Sequence, residues 1–284
     1  MSENSQLPVL VIKDWLDDAT MQLQAAGISS ARLDSEIILA HCLRKNRTYL
    51  HAHADDPLEA RVQEVADARL LLRLDRVPIA YIIGHKEFYG RQFRVTTATL
   101  IPRPESEALI DALGQLIPQN QTLLPGMTWR VVDVGTGSGC LGITAKLEHP
   151  ELDVTLLDND SFALKVAAAN AQQLQADVRI IKSDLLQSYP FQPNIIVANL
   201  PYVDRSWQRS PETDHEPAVA LFADADGLAL IYKLIDQAKT ALSTGGTLLL
   251  EADPRQLESI AKYGTKKNFT VILQHDFCIA LKRS

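Results

Sequence analysis

The chain has 284 residues, a formal net charge of −7, and 46% hydrophobic against 22% charged residues. That length and balance fit one large or two modest globular domains and exclude wholesale disorder. The acidity argues against a protein that wraps nucleic acid, because phosphate neutralisation by Lys and Arg supplies most non-specific affinity.

The start of the chain, Met1 to Pro8, is polar and lacks the basic and apolar pattern of a signal peptide. No apolar run approaches the ~18 residues of a membrane span. A cytoplasmic location with no membrane partner is the expectation. From Val9 to Arg76 the pattern is helical. Trp15, Met21, Leu23 and Ala26 recur at helix-like spacing, and Ser30 is placed to cap a second helix. Leu33, Ile37, Ile38 and His41 or Cys42 share a face of that helix. After Asp56-Pro57, Val62, Val65, Ala66, Leu70 and Leu71 recur mostly at three and four. Residues 1–76 are therefore expected to form a small helical bundle. Residues 77–104 bring Tyr81, Phe88, Tyr89 and Phe93, punctuated by Gly84 and Gly90, and read as a β-hairpin linker.

Residues 105–284 alternate strands with helices. Strands are expected near Trp129–Val134, Val154–Leu157, Val178–Ile181, Ile195–Ala198, Thr247–Glu251, Thr270–Leu273 and Cys278–Leu281. Helices are expected over Glu107–Ile117, Cys140–Leu147, Ala163–Leu174 and Leu228–Leu242. This pattern implies an α/β fold: a doubly wound, mainly parallel, seven-stranded sheet beside the helical bundle. Cys42, Cys140 and Cys278 are too far apart for a zinc or disulfide pattern and read as incidental thiols. His85, His149 and His215 form no metal or triad pattern and read as structural or solvent-facing.

The chemistry gathers at the strand ends. Asp133-Val134-Gly135-Thr136-Gly137-Ser138-Gly139 follows a strand and opens a helix. Such glycines let the backbone approach a ligand, and the helix start offers unpaired N–H donors. The spacing is G-x-G-x-G rather than the dinucleotide G-x-G-x-x-G. With its acid two residues ahead, it resembles motif I of the S-adenosylmethionine-dependent methyltransferases. Asp158 ends the second strand and can accept from ribose hydroxyls, with Asp160 close enough to compete. Asp184 follows the third strand, where an acid in such enzymes sits near the adenine amino group, and Leu185 can pack on the adenine face.

Asn199-Leu200-Pro201-Tyr202 ends the fourth strand. It resembles the N-P-P-Y motif of enzymes that methylate planar nitrogens: adenine N6, cytosine N4 and glutamine amides. An amide nitrogen is a poor nucleophile, so the useful device is a pair of acceptors that hold its NH2. The Asn199 side-chain oxygen and the Leu200 carbonyl are the candidates. They stabilise the charge that develops on nitrogen and aim it. Tyr202 is expected to stack on the planar group or wall its pocket. Leu200 stands where the motif has its first proline, which leaves the carbonyl but not proline's fixed φ.

Further segments resemble the HemK-type family, the glutamine N5-methyltransferases of peptide chain release factors. They are Leu33-Asp34-Ser35-Glu36-Ile37-Ile38-Leu39-Ala40, Arg47-Thr48, and Arg76 through Gly84 with Phe88-Tyr89-Gly90. Leu100-Ile101-Pro102-Arg103-Pro104-Glu105-Ser106-Glu107 and Glu216-Pro217 through Ala220-Leu221 complete the set. The resemblance implies S-adenosyl-L-methionine as cofactor, held by Asp133, Gly135 through Gly139, Asp158, Asp184, Leu185 and Asn199. It implies Asn199 through Tyr202 as the substrate clamp; the cysteine and histidine spacing leaves no metal site to expect. It implies a helical domain that recognises the release factor, whose Gly-Gly-Gln (GGQ) loop enters the catalytic domain, and it gives Arg103 and Glu107 as braces at the mouth. The alternatives are a ribosomal protein glutamine, or adenine N6 in a flipped nucleic-acid base. Nucleic acid is not expected as a direct substrate. The sequence departs from the family at Ala252-Asp253-Pro254 and at His275-Asp276-Phe277-Cys278.

Overall fold

A computed structural model describes residues 10–117 and 128–284; the expectation made for Met1 to Pro8 lies outside them. The chain divides into two compact units. One comprises Met1–Gly84 with Pro211–His215, the other His85–Ser210 with Glu216–Ser284.

The first unit is helical: α1 (Ile12–Ala25), α2 (Ala31–Leu43), α3 (Arg47–Ala52), α4 (Ala60–Leu74) and α5 (Ile79–Ile83). Its core is built from Trp15, Leu16, Ala19 and Leu23 of α1, Ile38 and Leu39 of α2, Leu50 of α3, and Ala66 and Leu70 of α4. Four residues expected to face inward, Met21, Leu33, Val65 and Leu71, are exposed. Each stands one or two positions off its helix's buried line, which swings it about 100–200° away. Ser30 precedes α2 but does not cap it. Its backbone lies at φ −89, ψ 17 rather than extended, and its hydroxyl donates to Asp34 Oδ2 at 2.8 Å. Asp34 in turn accepts from the buried Arg73 at 2.7 Å, and Arg73 reaches Glu212 of the Pro211–His215 turn at 3.1 Å.

The stretch read as a hairpin is helical in its first part. Pro78 precedes α5 with φ −55, and Gly84 ends it in the left-handed conformation, φ 78. Only β1 (His85–Phe88) and β2 (Arg91–Arg94) pair, antiparallel. They open the second unit, followed by α6 (Glu107–Leu116), β3 (Arg130–Val134), α7 (Cys140–Glu148), β4 (Asp153–Asp158) and α8 (Ser161–Leu174). Next come β5 (Arg179–Lys182), β6 (Ile195–Ala198), α9 (Ala218–Leu221) and α10 (Ala229–Ala241). The last elements are β7 (Thr247–Glu251), α11 (Leu257–Lys266), β8 (Phe269–His275) and β9 (Cys278–Arg283).

The expected seven-stranded sheet is present, in the order β5-β4-β3-β6-β7-β9-β8, with only the β9 pairings antiparallel. Its strands are apolar on both faces, as covered parallel strands must be. Val132, Val134, Ile196, Ala198, Leu248 and Leu250 pack with α10 and α11, while Val131, Val154, Leu156, Val197 and Leu249 pack with α6, α7 and α8. The two C-terminal segments that depart from the family pattern meet each other, because Ala252 N donates to the Phe277 carbonyl at 2.9 Å. The strand order reverses between β4-β3 and β6-β7, and at that switch point the carboxyl ends of an open parallel sheet leave a ligand crevice. No helix of the described residues is long and apolar enough to cross a membrane.

Candidate active site

A cleft opens at the switch point, on the side where the strands of the sheet end. Gly135, Gly137, Asp158, Asp184, Leu185, Asn199, Leu200 and Pro201 line it, as do Thr99, Leu100, Asn159 and Ser183.

The glycine turn forms one wall. Gly135 has φ +72, and a Cβ there would stand 2.8 Å from Leu200 Cδ2. Leu200 is buried and packs in the core beside Val134 and Ala198, so the leucine in the position of the motif's proline serves as a floor under the turn. Asp158 closes the turn from the neighbouring strand: its Oδ2 accepts from Gly137 N at 2.9 Å and its Oδ1 from Asp160 N at 2.9 Å. Burial holds its carboxyl above the usual range. Asp160 caps α8 by accepting from Phe162 N at 2.7 Å. Asp184 sits at the rim, 2.7 Å from Lys233 Nζ.

Asp133, Thr136, Ser138 and Gly139 stand behind the cleft and do not line it. Asp133 Oδ2 accepts from Thr136 Oγ1 at 2.6 Å and from Gly142 N at 2.9 Å. It thus ties the turn to α7, while burial lifts its carboxyl to about 6. Ser138 offers its carbonyl to Asn170 Nδ2 at 2.8 Å. Gly139 precedes α7 in the left-handed conformation, φ 83.

Asn199 leaves the end of β6 with its carboxamide fixed on one side only: Nδ2 donates to Ser106 Oγ at 2.9 Å. Tyr202 does not line the cleft. Its hydroxyl donates to Glu251 Oε1 at 3.1 Å, and its carbonyl accepts from Gln256 Nε2 at 2.8 Å. Burial, and then the neighbouring Glu251 carboxylate, push the Tyr202 phenol well above its ordinary range. Glu251 is buried, and burial raises its carboxyl as well.

The segment before α6 is braced from α9's side. Arg103 pairs with the buried Glu216, whose other oxygen accepts from Ile101 N at 3.2 Å. Glu107 accepts from Tyr89 N at 2.8 Å. Thr99, Asn159 and Ser183 in the cleft wall, and Ser106, Glu216 and Glu251 around it, are among the residues that the sequence did not single out for the site. Two of them sit inside recognised motifs, and that was the available signal. His85, His149 and His215 are not in the cleft wall.

Two family models match the chain: the PrmC N-terminal domain over residues 14–84 and the methyltransferase small domain over residues 106–262. A release factor glutamine methyltransferase of Koribacter versatilis is 39% identical, covering 86% of this chain and 89% of its own length. The chain belongs to the release factor glutamine methyltransferase family. Proteins of the same name from Coxiella burnetii and Escherichia coli are each 35% identical, covering 89% and 87% of this chain and 89% and 87% of their own lengths. Among solved structures, a methyltransferase from Pyrococcus furiosus superposes with TM-score 0.52 at 17% identity, over 77% of this chain and 98% of that one. The hMettl16 catalytic domain does so with TM-score 0.51 at 16% identity, over 80% and 82%. These two establish the shared class of sheet.

As a member of this family the chain is a methyltransferase, and its cofactor is S-adenosylmethionine. The cleft fits that group. Its glycine turn presents no Cβ at Gly137, where one would stand in open space, and beside the turn lies the Asp158 carboxylate at the end of β4, with the apolar Leu185 also lining the cleft.

Proposed function

We infer that the chain methylates the side-chain amide nitrogen, N5, of the glutamine in the Gly-Gly-Gln loop of a peptide chain release factor, in the cytoplasm. The names of its relatives support the partner. The observation that carries the chemistry is the one-sided anchoring of Asn199, whose Nδ2 is tied to Ser106 while the residue lines the cleft.

In this reading Gly135, Gly137, Asp158, Asp184 and Leu185 hold the cofactor, with Asp133, Thr136, Ser138 and Gly139 behind them. When bound, S-adenosylmethionine supplies an electrophilic methyl group. Asn199 Oδ1 and the Leu200 carbonyl each accept one hydrogen bond from the target NH2. Two acceptors match its two donors, so the nitrogen is held with its face toward the methyl group. As positive charge develops there, both acceptors are already in place to stabilise it. One N–H proton then leaves to water and the methylated amide is neutral. No general base is required beforehand, because the group that must be favoured is the charged nitrogen of the transition state rather than an anion. Pro201 restricts the backbone after the Leu200 carbonyl, and Tyr202, tied to Glu251, keeps the tetrapeptide on the sheet. The helical unit contributes to recognition of the release factor. Nucleic acid is not the substrate in this reading, consistent with a net charge of −7.

The test is labelled S-adenosylmethionine offered with a release factor, with a release factor whose loop glutamine is replaced, and with nucleic acid. Label in the first alone is the expected result. Label in nucleic acid and not in the release factor would overturn the reading.

A further inference from the structure

The register of the sheet sets up a buried polar cluster behind the clamp. β6 and β7 are parallel neighbours, paired Val197 with Leu249 and Ala198 with Leu250. Continuing that register by one residue brings Asn199 beside Glu251. Side chains alternate along a strand, so Asn199 and Glu251 fall on the same face as Val197 and Leu249, the face covered by α6. Ser106, immediately before α6, is delivered onto them. Ser106 and Glu251 are both buried.

The hydrogen bonds of this cluster run in one direction, toward Glu251, which can only accept. Asn199 Nδ2 donates to Ser106 Oγ, so that oxygen acts as acceptor and its own O–H must point elsewhere. Glu251 Oε1 accepts from Tyr202, while Oε2 is buried with no hydrogen-bond partner. Ser106 and Asn199 both stand close enough to the Glu251 carboxylate to favour its charged form against its burial. A buried carboxylate oxygen without a donor is costly, and the unspent donors beside it are the Ser106 hydroxyl and the second N–H of Asn199 Nδ2.

We propose that Glu251 is a positioning residue that acts through Ser106 to set the orientation of the Asn199 carboxamide. The chain of hydrogen bonds is directional. Glu251 can only accept, so Ser106 donates to it. Ser106 must then accept from Asn199 Nδ2, and Asn199 Oδ1 is turned to the cleft. An asparagine is otherwise free to flip its amide, and a flipped Asn199 would present N–H donors to the target NH2, which needs acceptors. The relay removes that inverted state and leaves the cofactor wall untouched. The proposal rests on the clamp role of Asn199 inferred above.

Glu251→Gln replaces one acceptor by a donor at constant shape, and either Ser106 or Tyr202 loses its partner. We expect kcat to fall at least tenfold, while the affinity for S-adenosylhomocysteine stays within twofold and the melting temperature is unchanged or higher. Removal of a merely structural buried charge would give the thermal result without the kinetic one. Ser106→Ala should show the same kcat loss, and Ser106→Thr, which keeps the hydroxyl, should restore kcat. A substrate-free readout runs in parallel. The side-chain 15N–1H signals of Asn199, assigned by their loss in Asn199→Asp, should shift in Glu251→Gln and Ser106→Ala and hold in Ser106→Thr. Unshifted Asn199 signals in both variants, or full kcat in both, would overturn the relay. Failure of the unmodified enzyme to label any release factor would count against the proposed function instead, and the nuclear magnetic resonance arm would still decide the relay.

Discussion

Asp158 Oδ2 accepts a hydrogen bond from Gly137 N at 2.9 Å, joining the end of β4 to the glycine turn after β3 across 21 residues of sequence. The same carboxylate that can meet a ribose therefore also holds the turn in shape. Its burial, which raises its pKa, is partly offset by the backbone donors of Asp160, Gly137 and Asn159.

Asp158→Ala should accordingly damage the cofactor site twice, by removing an acceptor and by releasing Gly137. Loss of charge-assisted hydrogen bonds is worth about 1.5–3 kcal/mol each. Titration calorimetry with S-adenosylhomocysteine should give a Kd raised by at least about tenfold, since about 1.4 kcal/mol is a factor of ten. An unchanged Kd would remove Asp158 from the cofactor site.

Gly135→Ala tests the wall itself. Its φ of +72 strains any L side chain, and the new Cβ would meet Leu200 Cδ2 at 2.8 Å. The left-handed conformation costs about 1–2 kcal/mol, and the leucine terminus must also move. Lower melting temperature and weaker S-adenosylhomocysteine binding should appear together. Adding Leu200→Ala should recover part of the steric cost but none of the backbone cost, so a double-mutant cycle should show coupling.

Asp133 gives stability a pH signature. Burial raises its carboxyl from 3.8 to about 6, against the opposing bonds from Thr136 and Gly142. Because the folded value is raised, protonation favours the folded state. The contribution is present below about pH 3.8 and is lost as pH rises through about 6. Two pH units correspond to about 3 kcal/mol at most. Asp133→Asn keeps one acceptor oxygen and lacks the charge, so its stability advantage over the parent should grow between about pH 4 and about pH 7. Thermal melts across that window check it; a difference that is flat with pH would contradict the assignment.

Arg103→Ala leaves the Glu216 carboxylate, whose side chain is only 3% exposed, with Ile101 N as its remaining donor. A cost of about 1–3 kcal/mol is expected. The same change loosens the segment that brings Thr99 and Leu100 to the cleft, so KM for S-adenosylmethionine should rise more than kcat falls. Steady-state kinetics with the cofactor varied would show whether it does.

The sheet was legible because its signals are local. Short continuous apolar runs mark the strands, and the glycine turn, Asp158 and Asn199 sit at strand ends, where a parallel sheet gathers its ligands. The helical faces were read less well: Met21 and Leu71 are apolar but stand off the buried line of their helices and face solvent. Residues 79–83 contain three isoleucines, and an expectation of strand there ignored the helix boundaries that Pro78 and Gly84 supply. Which polar residues pair with which was not legible, although Arg103, Ser106 and Glu216 stand inside recognised motifs. Ser106 finds Asn199 at a separation of 93 residues. Arg103 finds Glu216 at 113. Both pairings join segments far apart in sequence that only the tertiary fold brings together. Tyr202, expected to wall the pocket, instead turns its hydroxyl to Glu251, a contact fixed by the β6–β7 neighbourhood and not by the tetrapeptide.

The most direct measurement is tandem mass spectrometry of a full-length release factor after incubation with this enzyme and S-adenosylmethionine, alongside Asn199→Ala. A single added methyl group on the side chain of the Gly-Gly-Gln glutamine, absent with the variant, is the result expected. A methyl group on any other residue, or undiminished methylation by Asn199→Ala, would contradict the clamp on which the account stands.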